Sequence, residues 1–200
     1  MSSRIEQPSG LRERKKARTR RSIQEHAMRL FAEQGYDATT IEQIAEAADV
    51  SPSTFFRYFP SKEDVIVKDD HDPLLISAFL AQPAALTPLG ALRAAMREVL
   101  AEAFADGEET ELQRVKLIWS IPSLRAREVE GRVTAMAMLT GALAQRTGRS
   151  ADDFTVRVFA GAVIGAWIAA MESWVESDGA ERLSDLVDRV LALLEEGLPL

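Results

Sequence analysis

The chain contains no cysteine. That excludes a disulfide scaffold, a thiolate nucleophile and a cysteine-ligated zinc. It contains two histidines, His26 and His71, and neither sits beside a serine and an acid in a pattern that would build a catalytic site. An enzyme is therefore not expected. No apolar run reaches the roughly 20 residues of a membrane span, and the polar, arginine-rich start lacks the apolar segment of a secretory signal. The expectation is a soluble cytoplasmic protein with no membrane partner and no cofactor. What is present is a 46% hydrophobic, 28% charged chain of 200 residues, enough to bury a core in one large domain or two small ones.

The net charge of −7 argues against nucleic acid when taken globally. Its distribution argues the other way. Arg4 to Arg21 holds eight basic residues against two acidic ones, whereas His71 to Leu200 holds twelve basic against nineteen acidic. A basic arm on an acidic body has one end suited to phosphates.

The stretch after that arm, TTIEQIAEAADVSPSTFFRYFPSK from Thr39 to Lys62, carries strong local signals. Thr40 and Gln43 fit a capping box. Ile41, Ile44, Ala45 and Ala48 fall at i, i+3, i+4 and i+7, one face of a short helix. Ser51 caps the next helix, with Pro52 at its first position, and Ser61 caps a third. Two short helices with a tight turn between them form a helix-turn-helix, a shape that enters the DNA major groove. Upstream, Ile23, Ala27, Leu30 and Phe31 mark the buried stripe of a helix from about Leu11 to Gln34, closed by Gly35. Its first turns are basic almost all round. They read as a solvated face or, placed before a helix-turn-helix, as a phosphate-contacting arm that includes Arg18, Arg20 and Arg21.

The segments GYDATT, IEQIAEAADVS and FFRYFPSKEDV resemble the TetR family of bacterial one-component regulators, over about residues 12–66. The resemblance implies an all-α fold of about nine helices: an N-terminal three-helix helix-turn-helix DNA-binding domain and a C-terminal helical domain for ligand binding and dimerisation. The division expected is a tail over residues 1–10, the DNA-binding domain over 11–66 and the body over 67–200. It implies that Thr40 caps the second helix against a phosphate and that Gln43 lies on the groove side. Ser51, Ser53 and Thr54 would stand near base edges, Phe56 against thymine methyls or sugars, and Arg57 at a guanine or a phosphate. Tyr58 and Lys62 would hold phosphates. Phe55 and Phe59 are assigned to the core of the head. The implied function is a ligand-responsive homodimeric repressor on a palindromic double-stranded operator. The alternative is a DNA-binding regulator without a small-molecule ligand, acting through protein partners or as an activator.

The fourth helix is expected to run from Lys62 through VIVKDDHD until Pro73 kinks or ends it. Asp69, Asp70, His71 and Asp72 are contiguous, so they point around a helix rather than at one ion, and a metal is not expected. Beyond them, Pro- and Gly-punctuated apolar stripes predict an antiparallel helical body. Met96, Leu100, Trp119, Arg125, Met136, Trp167 and Met171 are the candidate lining of an apolar effector site, although Met and aromatic residues at helical spacing are more often core. Arg114, Lys116, Arg125, Arg127 and Arg132 could serve an anionic head or could simply be surface charge. The segment Leu112–Arg132, with the RTG near residue 147 and the GxxxG helix ending in Trp174, also resembles mycofactocin-type regulators, which implies an acyl-CoA-like ligand. Two stripes suit a four-helix dimer interface: the small-residue series Gly161, Gly165 and Ala169, and the apolar series Leu183, Leu186, Val190 and Leu194. Both would also serve as intramolecular core.

Overall fold

The structure, a computed structural model, describes residues 10–68, 71–104 and 108–199. Among them the only regular structure is helical. The chain forms two compact units, residues 1–68 and 69–200.

The first unit is built by four helices. α1 (Leu11–Gln34) presents Ile23, Ala27 and Phe31 inward at four-residue spacing. It ends at Gly35, whose φ of +88° no side chain tolerates comfortably. α2 (Ile41–Ala47) begins with the expected box: the Thr40 hydroxyl accepts from the Gln43 backbone N–H, and the Gln43 side-chain oxygen Oε1 accepts from the Thr40 N–H. Ile44 and Ala45 are its buried pair, with Ile41 and Ala48 at the edges. α3 (Pro52–Tyr58) starts at Ser51 and inserts Phe55; Phe59 follows as its C-cap. Both rings are fully buried, 5.8 Å apart, as their assignment to the core requires.

α4 (Lys62–Val67) is capped by Ser61 and stops at Lys68, whose backbone is extended. The expected continuous fourth helix is thus corrected to two segments. A new helix, α5 (His71–Ala81), starts before the proline, and Pro73 sits in its first turn, where the N–H it lacks would have had no helical partner. Asp69 and Asp70 and the side chain of His71 lie outside the described residues, so the acidic cluster at this junction has no described geometry; the same holds for residues 1–9 of the tail.

The second unit continues with α6 (Pro88–Ala103), α7 (Glu109–Ser120), α8 (Pro122–Thr147), α9 (Phe154–Glu176) and α10 (Leu183–Glu195). One apolar cluster unites them. Phe79 of α5, Leu92 and Met96 of α6, Leu112 and Val115 of α7, Leu139 and Leu143 of α8 and Trp174 of α9 all belong to it. α10 closes it by packing on α9 and α6.

Two sequence expectations change here. The α10 stripe is interior to its own chain: Leu183 and Leu186 are 1% and 2% exposed, and Val190 and Leu194 pack at the edge of the same cluster. Leu183 and Leu186 therefore cannot form a subunit face, because their surface is already covered. Secondly, α9 is long and apolar enough to cross a membrane by length and composition, with a mean hydropathy of 1.7. Spreading small residues through a helix raises its hydropathy without producing a run of large apolar side chains, which is how the sequence conceals it.

Candidate nucleic-acid interface

The exposed start of α3 is the centre of this site. The Ser51 hydroxyl accepts from the Thr54 N–H at 3.1 Å and lies within 3.0 Å of both the Ser53 and Thr54 hydroxyls. Three hydroxyls thus converge at one helix start, each able to donate or accept. Phe56 stands beside them with half its surface in solvent, its ring edge-on to the buried Phe55. Arg57 is exposed, its guanidinium 5.4 Å from the centre of the Tyr58 ring. Hydroxyls, a planar cation and an apolar ring on one surface match the edge chemistry of base pairs in the major groove.

Thr40 and Gln43 are exposed at the α2 start. Gln43 also accepts from the Gln34 side chain at 3.0 Å, so its amide is oriented by α1 as well as by its own cap. Along α1, Arg12, Arg14, Lys15, Lys16, Arg18 and Arg21 are exposed. Arg20 is not part of that surface. Its guanidinium lies over the buried Phe59 ring at 4.7 Å and donates to the Lys68 carbonyl, next to Gln24, which donates to the same oxygen at 2.9 Å. Arg20 fastens α1 to the end of α4.

Lys62 also points inward. Its ammonium donates to the carbonyls of Tyr36 and Thr39, at 2.8 and 3.0 Å, and sits 4.1 Å from the centre of the Tyr36 ring. The neighbouring Glu63 accepts from the Tyr36 hydroxyl at 3.0 Å. Burial alone would push the Glu63 carboxyl upward. Its bonds to its own backbone N–H, Tyr36 and Ser61, with the Lys62 charge, outweigh that and hold it below the ordinary carboxylate value. Sequence reasoning missed this arrangement, and one signal was available. A lysine in the first turn of a helix faces the positive end of the helix dipole, so it needs acceptors elsewhere.

In the body the candidate effector residues do not gather in one site. Met96 and Leu100 are buried in the core cluster, and Trp119, Trp167 and Met171 pack against it half-buried. Met136 is exposed, as is Arg125, which donates to the Trp119 carbonyl. Each basic residue of the Leu112–Arg132 stretch has a partner within the chain: Arg114 with Glu111, Lys116 with Asp178, Arg127 with Glu130 and Arg132 with Glu128. A surface cleft of about 450 Å³ lies between α6 and α10, floored by Leu100 and Ala101 and rimmed by Arg97, Arg182, Asp185 and Asp188. Leu100 is the one candidate residue that lines it.

On α9, Gly161, Gly165 and Ala169 face outward, continuous with Val158 and with Phe154, which is 80% exposed. A methyl group added at Gly161 or Gly165 would meet nothing within 4 Å among the described residues.

Comparison with known proteins agrees with both halves of this geometry. Residues 23–67 match the family described as bacterial regulatory proteins, tetR family, and residues 86–199 match the MftR C-terminal domain. The transcriptional regulator TcmR of Streptomyces glaucescens is 38% identical over 169 residues, spanning 75% of this chain and 72% of that protein. The mycofactocin biosynthesis regulator MftR of Mycobacterium tuberculosis is 27% identical across 82% of this chain and 84% of its own. Among solved structures, the repressor FadR of Thermus thermophilus in complex with lauroyl-CoA is 28% identical. It superposes with a TM-score of 0.54 over 90% of this chain and 95% of its own.

Proposed function

This chain belongs to the TetR family of transcriptional regulators and is not an enzyme; from that premise we propose that it is a homodimeric cytoplasmic repressor released from its operator by an apolar or acyl-CoA-like effector. The observation that carries the reading is the cluster at α3 and its cap, where exposed Ser51, Ser53, Phe56 and Arg57 and half-buried Thr54 and Tyr58 form one reading surface. Thr40, Arg18 and Arg21 supply phosphate contacts around it, with Gln43 on the groove side. The operator is expected to be palindromic, because a two-fold dimer presents two equivalent heads.

Subunits would meet through the outward face of α9, where glycine and alanine let a second helix approach closely. That contact also accounts for an apolar helix face left open to solvent. The effector reading rests on the half-buried Trp119, Trp167 and Met171 and on the likeness to a lauroyl-CoA-binding repressor. The second reading, a regulator without a small-molecule ligand, is favoured by one observation: the basic residues available for an anionic head are already paired within the chain.

The test uses a duplex fragment selected by the protein from a random library. Wild type should bind it as a dimer, and lauroyl-CoA should both raise the thermal midpoint and release the DNA. Gly161→Leu should leave the fold intact, since the position is exposed and an added Cβ meets nothing within 4 Å among the described residues, but yield monomers by light scattering. A dimeric Gly161→Leu variant would overturn the α9 interface. No response to lauroyl-CoA or to long-chain fatty acids would leave the ligand-free reading in its place.

A further inference from the structure

Lys62 stands where the family resemblance puts a phosphate contact, yet its bonds lead into the protein. We propose that Lys62 is a positioning residue that fixes the start of α2, so that Thr40 and Gln43 present correctly to DNA, and that it is not itself a phosphate ligand. The inference rests on the DNA-binding reading above and reassigns one residue within it.

The ammonium carries three N–H groups. Two are engaged by carbonyls three residues apart in the sequence, those of Tyr36 and Thr39, and its charge lies against the Tyr36 ring. Both carbonyls belong to the loop between α1 and α2. Lys62 and Glu63 together grip Tyr36 at both ends, one at its carbonyl and ring face, the other at its hydroxyl. Thr39 is held equally firmly. It is 1% exposed, its hydroxyl donates to the Gly35 carbonyl at 2.7 Å, and it accepts from Gln34 at 3.1 Å. The residue after Thr39 is Thr40, the cap of α2, so a clamp on the Thr39 carbonyl fixes the peptide plane from which the cap begins. Loss of that clamp leaves two carbonyls and a tyrosine face without their cation, and the loop gains freedom at the point where Thr40 and Gln43 must hold register.

The two roles differ in their salt dependence. A phosphate ligand contributes about 0.9 to the slope of log affinity against log salt, whereas a residue that acts through others leaves that slope alone. The experiment measures affinity for the selected duplex over a range of salt concentrations. Lys62→Met retains the apolar stem over Tyr36, and Lys62→Gln retains a neutral amide donor. Lys62→Met should weaken binding about tenfold, on the scale of a lost charge-assisted hydrogen bond, with the slope unchanged. Lys62→Gln should fall between it and wild type. Combined with Thr40→Ala, the Lys62→Met effect should be mostly absent, because both act at the same cap; combined with Arg57→Ala the effects should add. In free protein, amide exchange over Thr40–Gln43 should quicken in Lys62→Met. A slope reduced by about 0.9 with additive behaviour toward Thr40→Ala would overturn the proposal, as would unchanged exchange. A wild type that selects no duplex defeats the DNA reading itself and the positioning role with it, and is told apart by that failure in the parent protein.

Discussion

The turn of the helix-turn-helix contains a residue held against its own preference. Asp49 has a φ of +53°, and it is not glycine. Its N–H bonds to the Glu46 carbonyl at 3.1 Å, and the following Val50 N–H reaches back to the Ala45 carbonyl at 2.9 Å. This is a Schellman closure with aspartate in the left-handed position. An L-residue there costs roughly 1–2 kcal/mol, less for aspartate with its short polar side chain. Glycine recovers that but loses about 0.4–1 kcal/mol by loosening the unfolded chain. A carboxylate at a helix C-terminus adds a dipole penalty of about 0.3 kcal/mol at an exposed site. Asp49→Gly should therefore stabilise the first unit by about 0.5–1 kcal/mol, Asp49→Asn by about 0.3 kcal/mol, and Asp49→Ala should destabilise it by about 0.5 kcal/mol. Tryptophan fluorescence is blind to this unit, because Trp119, Trp167 and Trp174 all lie in the second one. The readout is amide exchange of peptides spanning Thr40–Phe59, with Val50 the diagnostic amide. The asparagine gain should vanish at 1 M salt, where screening acts within about 3 Å, while the excess of glycine over asparagine should persist. If alanine protects Val50 as well as glycine does, the strain argument is wrong.

Two predictions concern the body. Arg146 donates to the carbonyls of Phe79, Gln82, Pro83 and Leu86 and lies 5.4 Å from the centre of the Phe79 ring, capping α5 and bracing the α5–α6 loop; Arg146→Met should cost about 2 kcal/mol in urea unfolding followed by tryptophan fluorescence. Asp188 accepts two bonds from Arg93 at 2.6 Å and faces Arg97 at 2.7 Å, and those hydrogen bonds, against some opposing burial, hold its carboxyl below the ordinary value. A lowered folded-state value means stability present above the unfolded value of about 3.9 and lost as pH falls below it, so Asp188→Asn should cost about 1 kcal/mol at neutral pH, discounted for partial exposure, and progressively less below about pH 4. A mutant–wild-type gap that stays constant down to pH 2 would refute the pairing.

What could be read in the sequence was local. The Thr40–Gln43 box, the Ser51 and Ser61 caps and the buried Phe55 and Phe59 each depend on residues within a few positions, and all are found. Lys62, Arg20 and Arg146 could not be read this way. Their acceptors lie far along the chain, at Tyr36, Lys68 and Phe79, and nothing in a lysine or arginine announces which carbonyl it will find. The α10 stripe exposes a different limit. Periodicity shows that Leu183 and Leu186 are covered; it does not show whether their own chain or a partner covers them. The same reasoning leaves α9 as the helix with one face for its own core, carrying Val156, Ala160, Val163 and Trp174, and another that is open.

The charge distribution draws a sharper line between the two units than composition does. In the body, Arg93 and Arg97 share Asp188, and Arg114, Lys116, Arg127 and Arg132 each sit on an acid of the same unit. Their field is cancelled at short range, so the excess of acids there is not relieved by any of these residues. In the first unit the exposed cations of α1 stand on a helix whose acidic residues are few until Glu25. Phosphate attraction therefore belongs to the first unit. The corollary bears on the effector. An anionic head group binding at the Leu112–Arg132 surface must displace a carboxylate or the Trp119 carbonyl, and each group left unpaired costs about 1–3 kcal/mol if it stays buried. A net gain must then come from the apolar part of the ligand, at roughly 0.8 kcal/mol per methylene buried. Binding should follow chain length far more steeply than head-group charge: in thermal-shift titrations, extending an acyl-CoA by two methylenes should strengthen binding about tenfold, while exchanging the CoA head for a free carboxylate at constant chain length should change it less. The reverse ranking would mean that the paired arginines open to receive the head.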